Sequence, residues 1–414
     1  MKTILSLVLF LIIGFVGSKW FVSRTKIRLP FAGLYITGME FFFIGILLGP
    51  AALDLITPEV LRDLKPIVYL ALGWAGLLFG IELSWPQVKR VSRSIIKYLL
   101  ADTLVVSVIV FIVSFMLIRR LYSGVGGPDV VFAAMILAIT AALSSPAIIA
   151  IHAKRLPARG RFTRVVKVSS ALSPVFPLLL FSFFYTTVHP GFLGLEGAGS
   201  GLLWWLLANA MGIGMGFIMV LFTVERCSEN ERSLLIMGTV MLVGGLCYYL
   251  TFSSLYTAMI MGIVVANFSG RREAVFKQLH EHEKTLFVAF LIIVGSMVSI
   301  SGAFMLVLLA AYLAIRLLLR AFVSSWLIER TYGEFKTIRH GRGLVFTAQG
   351  GMALAIAIEY RMSTNGAFAD TVFAVIAFAV VLNEVLGFAL TRRAFRASGE
   401  IPAGRNAAGQ ITNG

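Results

Sequence analysis

Between Ala138 and His152 the chain reads AITAALSSPAIIAIH, an apolar run that carries Thr140, Ser144, Ser145 and Pro146. A proline inside a helix removes one backbone hydrogen bond and clashes with the carbonyl four residues back, so this helix is expected to bend or unwind. Hydroxyls and freed peptide groups at membrane depth are tolerated only where protein buries them or a watery cavity receives them. Interrupted helices of this kind form the midplane sites of many secondary transporters. The chemistry on offer is coordination of a small solute by neutral oxygens. The plainer alternative is a proline kink whose freed groups are satisfied by the neighbouring serines.

Other polar residues fall into the same pattern. Thr140 and Ser144 are four apart, as are Ser169 and Ser173, so each pair can line one helix face. A second apolar run, TAQGGMA, sets Gln349 beside Gly350 and Gly351. Together these could form an oxygen-rich site. Hydrogen bonding between packed helices, at roughly 0.6–2 kcal/mol each, and close helix approach at the glycine pair explain the same residues without a ligand. Charges at depth are candidate partners. Arg316 and Arg320 share a face and repel each other unless acids or carbonyls meet them; Arg316 has a claim on the transport core, and Arg320 is expected to snorkel as an anchor. Glu40, Glu82 and Glu384, the last beside Asn383, are possible arginine partners or proton carriers, and Glu82 could simply face headgroups.

The elements that must position these residues are membrane helices. The 414 residues are 58% hydrophobic and 14% charged, with a mean hydropathy of +0.90, which marks a polytopic membrane protein. Spans are expected at Thr3–Gly17, Phe31–Ala52, Pro66–Leu83, Ile95–Leu117, Val130–Ile151, Val165–Val188, Leu202–Thr223, Leu234–Leu250, Leu255–Phe268, Leu286–Ile300, Ala303–Leu327, Leu344–Tyr360 and Phe368–Leu390, thirteen in all. TFSS, between the eighth and ninth, is the weakest boundary. The net charge of +16 does not point to nucleic acid, because the basic residues cluster in alternate loops. With the N-terminus outside and the C-terminus cytoplasmic, 28 basic residues fall on inner segments against 6 on outer ones, a positive-inside pattern. The loop Ala153–Lys167 is expected to contact anionic lipid, and GRREAVFKQLHEHEK to form an amphipathic surface helix. No metal site, cofactor or disulfide framework follows from Cys227, Cys247 and five histidines. No P-loop, dinucleotide fingerprint or catalytic triad supports an enzyme.

The two halves match. The stretch from Gly45 to Gly80 in FGIEL parallels that from Gly262 to Gly295 in VGSMVSI, and each half then runs through one further span into an interrupted one. If the seventh span, about 200–224, is a linker, repeats of about 1–190 and 230–392 are inverted relative to each other. The membrane domain is expected over 1–397, with a disordered cytoplasmic tail over 398–414.

In the order and spacing of GILLGP, GLLFGIEL, ALSSPAIIAI, SLYTAMIMGIVVA, KTLFVAFLIIVGSMVSI and GLVFTAQGGMALAIAIEY, the chain resembles the monovalent cation:proton antiporter superfamily, nearest its Kef-like branch. The resemblance implies an all-α fold of thirteen transmembrane helices, with the interrupted fifth and twelfth crossing at the ion site. It also implies elevator-like alternating access, a homodimer, and Na+ or K+ and a proton as transported species. A core-organising arginine in the eleventh helix belongs to the same pattern. Many relatives carry an Asp at the fifth-helix break and another in the sixth helix. Here Ser144–Ser145–Pro146 and Ser173–Pro174 stand in those places. Serine offers an oxygen but does not titrate near neutral pH, which puts conventional proton coupling through this pair in question. A transport-inactive or sensor-like membrane protein, or a transporter of a different small solute, are the alternatives. A bacterial inner membrane is the expected location.

Overall fold

Capping chemistry and hydropathy together set the elements. The computed structural model describes residues 38–400 apart from 123, 125, 157, 159, 189–199, 223–227, 300–301, 338–340 and 365. The expected first span, the start of the second, and residues 401–414 of the expected tail lie outside the described residues. α1 (Glu40–Leu48) and the short α2 (Pro58–Asp63), capped by the Thr57 hydroxyl, lead into α3 (Lys65–Glu82). α4 (Trp85–Lys89) precedes α5 (Arg93–Leu121), which Ser92 caps. The expected fifth span is two helices, α6 (Gly127–Ala142) and α7 (Pro146–Arg155). The sixth is α8 (Arg161–Leu172) and α9 (Val175–Val188), divided only by a turn at Ser173–Pro174.

α10 (Ser200–Phe222) is followed by α11 (Glu229–Leu250), which starts on a capping box of Ser228 and Glu231. Thr251 adopts a left-handed conformation that ends α11, and Ser253 caps α12 (Ser254–Phe268). TFSS is therefore a built stop and start. Next come α13 (Arg272–Ser296), α14 (Gly302–Leu319), a π-helical turn at Arg320–Ser324 and α15 (Ser325–Thr331). Two 3-10 turns, Gly333–Thr337 and Gly343–Phe346, precede α16 (Gly351–Ser363) and α17 (Ala367–Ala397). Among the described residues no strand occurs, and eight helical segments are long and apolar enough to cross a membrane. Their outward faces are greasy: Leu234 is 71% and Phe322 70% exposed, a surface suited to lipid rather than water.

The helices fall into two groups by their heaviest contacts, called scaffold and core below, with one buried apolar cluster running through both. In the scaffold, α3 lies along α12 and α11, while α1 lies along α13. In the core, α5 packs on α6 and α14, α16 on α17, and α17 on α7 and α14. α10 leans on α12 on one side and α9 on the other. The glycines of the two matched stretches meet reciprocally. A Cβ on Gly45 would lie 2.9 Å from the Gly295 Cα, and one on Gly80 would lie 2.9 Å from the Gly262 Cα. Backbones can approach this closely only where side chains are absent.

Two expectations change here. GRREAVFKQLHEHEK is not a separate surface helix; most of it forms the first half of α13, because Val275 and Leu279 bury into the scaffold cluster containing Trp74. The Trp74 indole N–H donates to the Leu279 carbonyl at 3.2 Å. The expected tail does not begin free at Ser398 either. The Glu400 carboxylate accepts from the Phe162 and Thr163 N–H groups at 2.7 and 2.9 Å, occupying the first turn of α8, where helix amides lack internal partners.

Candidate functional site

The two interruptions touch. Ser145, forced out of helical geometry by the proline after it, is extended at φ −84° and ψ 119°. Its N–H donates to the Ala348 carbonyl at 2.8 Å. On the other side, residues 347–350 separate the 3-10 turn from α16. Gly350 sits at φ +78°, a left-handed conformation that favours glycine, and a Cβ there would come 3.2 Å from that of Ser145. The half-helices α7 and α16 thus both start at this point, with the positive ends of their dipoles close together.

Most of the expected neutral oxygens are committed to protein partners. The Ser173 hydroxyl accepts from the Ser144 N–H (3.2 Å) and Ser144 hydroxyl (2.9 Å) and donates to the Ser144 carbonyl (3.1 Å). Thr140 bonds back to the carbonyls of Ile136 and Leu137, and its own carbonyl accepts from Gln349 Nε2 at 2.8 Å. Gln349 Nε2 also reaches the Tyr312 hydroxyl at 2.8 Å, while Gln349 Oε1 accepts from Asn383 Nδ2 at 2.8 Å. Ser169 is buried, and its hydroxyl has no partner among the described residues. It makes no hydrogen bond to the crossing.

The arginines organise the opposite side of the break. Arg316 donates to the carbonyls of Ala141 (3.0 Å), Leu143 (2.8 Å) and Phe346 (3.4 Å), and to that of Thr347. These are carbonyls that the broken helices leave without internal partners, and guanidinium at a helix C-terminus also complements the dipole. Arg320 does not snorkel. It is 1% exposed, forms an ion pair with Asp102 at 2.6 Å and donates to the Ala141, Ala142 and Leu143 carbonyls. Asp102 in turn accepts from the Ser324 hydroxyl at 2.5 Å. The π-helical turn begins at Arg320, where such bulges often mark functional positions.

One carboxylate reaches the break from α17. Glu384 Oε1 accepts the Gly350 N–H at 2.7 Å, and its Oε2 is buried with no hydrogen-bond partner among the described residues. The side chain lies beside Ser145 and within electrostatic reach of Arg316. A cavity of about 270 Å³ between scaffold and core runs along α3 and α13 to Pro146 and Gly351. Glu82, exposed at the end of α3, and Glu283 line it at the end of the bundle that carries the basic loops. Glu40 heads α1 in the scaffold. The structure therefore separates the expected carboxylates: Glu384 at the break, Glu82 at the cavity rim, Glu40 on the scaffold.

Two participants escaped the sequence reading. Tyr312 lies four residues before Arg316 and holds Gln349. Asp102, the partner of Arg320, is a carboxylate inside an apolar run, and the rule that intramembrane acids face the protein interior would have flagged it.

Comparison with known proteins agrees with this architecture. No curated protein sequence matches the chain. The sodium proton antiporter MjNhaP1 from Methanocaldococcus jannaschii at pH 8 superposes with a TM-score of 0.64 at 14% identity, covering 96% of this chain and 99% of that one. An electron-microscopy structure of the same antiporter gives 0.60 at 14% identity, with 96% and 97% covered. The likeness is one of fold. A model of the sodium/hydrogen exchanger transmembrane family matches residues 11–394, and over that length the chain belongs to this family.

Proposed function

We propose that the chain exchanges a monovalent cation, Na+ or K+, for protons, with Glu384 carrying both in turn. The observation that supports this is the buried Glu384 carboxylate, whose Oε2 has no hydrogen-bond partner among the described residues, beside two converging helix N-termini. A carboxylate can be neutralised by a proton or by a metal cation, and either resolves the cost of leaving that oxygen unpaired. Serine cannot do this, so the role that the resemblance gives to fifth- and sixth-helix acids passes to α17. Ser145 lies beside it as a further oxygen ligand, and hard cations take such oxygen ligands readily. Arg316 and Arg320 hold the carbonyls of the break so that they do not compete with the site.

The cycle we infer is elevator-like. The cavity supplies access from the basic end, which the positive-inside pattern assigns to the cytoplasm, and the core then moves against the scaffold. The reciprocal Gly45–Gly295 and Gly80–Gly262 contacts support two repeats related by an inverted pseudo-two-fold. A homodimer in a bacterial inner membrane fits the exposed apolar faces.

The test is purified protein in liposomes with an internal pH dye and an imposed Na+ or K+ gradient. The expected result is cation-dependent proton movement that Glu384→Gln abolishes while the protein remains folded. Cation-dependent exchange that survives Glu384→Gln would overturn the assignment of the carrier. Absence of any flux in the wild type would return the chain to a transport-inactive membrane protein.

A further inference from the structure

Glu359 has no part in the exchange site, yet it is fully buried. It lies on α16 in the core, and both of its oxygens are taken by the scaffold. Oε2 accepts the Ser253 hydroxyl at 2.8 Å, and Oε1 accepts the Ser254 N–H at 2.5 Å, at the first turn of α12. Ser254 is anchored behind by its own hydroxyl, which donates to the Tyr69 carbonyl of α3 at 3.1 Å. The contacts therefore join α16 to α12 and, through Ser254, to α3.

Its position is what gives it a consequence. Gly351 and Ala355 of α16 line the cavity, and Glu359 follows at the next four-residue step on the same face. On α3 the cavity reaches Ala71 and Leu72 and stops short of Tyr69, where Ser254 is tied. The carboxylate stands where the cavity ends, towards the side away from the basic loops. Tyr69 on α3, Tyr185 on α9 and Cys247 on α11 lie within electrostatic reach of it, all uncharged at neutral pH. Arg361, one half-turn on, is engaged by Asp370 and by the Thr364 carbonyl. Among the described residues no cation pairs with Glu359; a helix N-terminus and a hydroxyl balance it.

We propose that Glu359 is a proton-released latch that shuts the pathway at the end opposite the basic loops. Ionised, it accepts from two scaffold donors and holds core to scaffold. A proton arriving from that side neutralises the carboxylate, so its two charge-assisted bonds to the scaffold fall to ordinary strength and the contact opens. Coupling is then double: one proton unlatches the outer route, another exchanges at Glu384. This inference rests on alternating access, but its test separates the two.

The probe is an Ala355→Cys reporter, with Cys227 and Cys247 replaced by serine and alanine, labelled by a membrane-impermeant maleimide added to one side of oriented vesicles. From the side opposite the basic loops, labelling is expected to be slow at pH 8 and several-fold faster at pH 6. In Glu359→Gln it should be fast at both pH values, and in Ser253→Ala intermediate at pH 8. The same behaviour should appear in the Glu384→Gln background, where the exchange site holds no proton. Labelling from the basic side reports that each variant is folded. Slow labelling in both Glu359→Gln and Ser253→Ala, or a pH response that persists in Glu359→Gln or disappears in Glu384→Gln, would overturn the latch. Intact gating without any cation flux would instead leave the latch standing and remove the exchange.

Discussion

Glu384 and Glu359 are buried to the same degree, and each accepts a backbone N–H at the start of a helical segment, yet they are held for different ends. Glu384 spends one oxygen on Gly350 and keeps the other unpaired. Glu359 spends both, and on the opposite body. A carboxylate with an unmet oxygen at the helix break can receive a cation; one with both oxygens met can only hold or let go. The first is matched to carrying and the second to closing, although the two residues are chemically identical.

Replacement by glutamine should break this comparison most visibly. Glu384→Gln is expected to reduce cation-dependent proton flux in liposomes to the level of empty vesicles, since the amide cannot take up a proton near neutral pH. Glu359→Gln should leave measurable flux while altering its dependence on pH at the side opposite the basic loops. Equal loss in both variants would erase the distinction between carrier and latch.

Asp102 is a third buried carboxylate, and it sharpens the contrast because a guanidinium satisfies it. Removing one partner of a buried ion pair costs about 3–5 kcal/mol by leaving the other uncompensated. Asp102→Ala should therefore lower the thermal unfolding midpoint in detergent steeply, through stranded Arg320. Glu334→Ala, which breaks the exposed pair with Arg161, should cost no more than about 1 kcal/mol. Stability that barely changed in Asp102→Ala would mean that Arg320 is held by the Ala141–Leu143 carbonyls alone.

How far the chain announces this arrangement varies from residue to residue. Pro146 and the Gly350–Gly351 pair mark both breaks, because backbone chemistry is local and a proline or glycine shows it directly. Glu384 stands out as a charge in an apolar run. The partner of Asp102 lies 218 residues away, and no spacing rule connects them. Glu359, two residues from Arg361, looks like a headgroup-facing acid until Ser253, 106 residues distant, is brought beside it. Polarity misled in the other direction at α13, whose charged first half lowers its hydropathy although Leu279 and Val275 are fully buried. Thr140 and Ser144 sit where expected, but their hydroxyls turn inwards to protein partners, a choice settled by Tyr312 and Ser173 from distant spans.

The latch needs a rigid body to close on, and the scaffold's rigidity rests on backbone contact between helices. A Cβ at Gly80 would fall 2.1 Å from the Met259 carbonyl oxygen. Backbone cannot give way there cheaply, so Gly80→Ala should destabilise by about 1–3 kcal/mol through overpacking. Gly238, with open space where its Cβ would be, is the matched control within α11. Gly238→Ala should be neutral or slightly stabilising. Thermal unfolding of the two variants in parallel checks this, and equal effects would mean that α3 and α12 can slide apart.

The smallest expected effect on transport concerns Ser173, at the turn between α8 and α9. Its hydroxyl makes three hydrogen bonds, all to Ser144, so it braces the break rather than presenting an oxygen to a solute. Ser173→Ala removes these bonds at a cost of order 0.6–2 kcal/mol, the range for polar contacts between membrane helices. The apparent cation affinity should weaken by less than about tenfold, because a 1.4 kcal/mol change is a factor of ten and only part of the cost falls on the bound state. Titrating exchange against Na+ and K+ in Ser173→Ala liposomes measures it. Complete loss of exchange would make Ser173 a direct ligand and place the carrier at the α6–α9 side of the crossing. A modest loss keeps it with the carboxylate of α17.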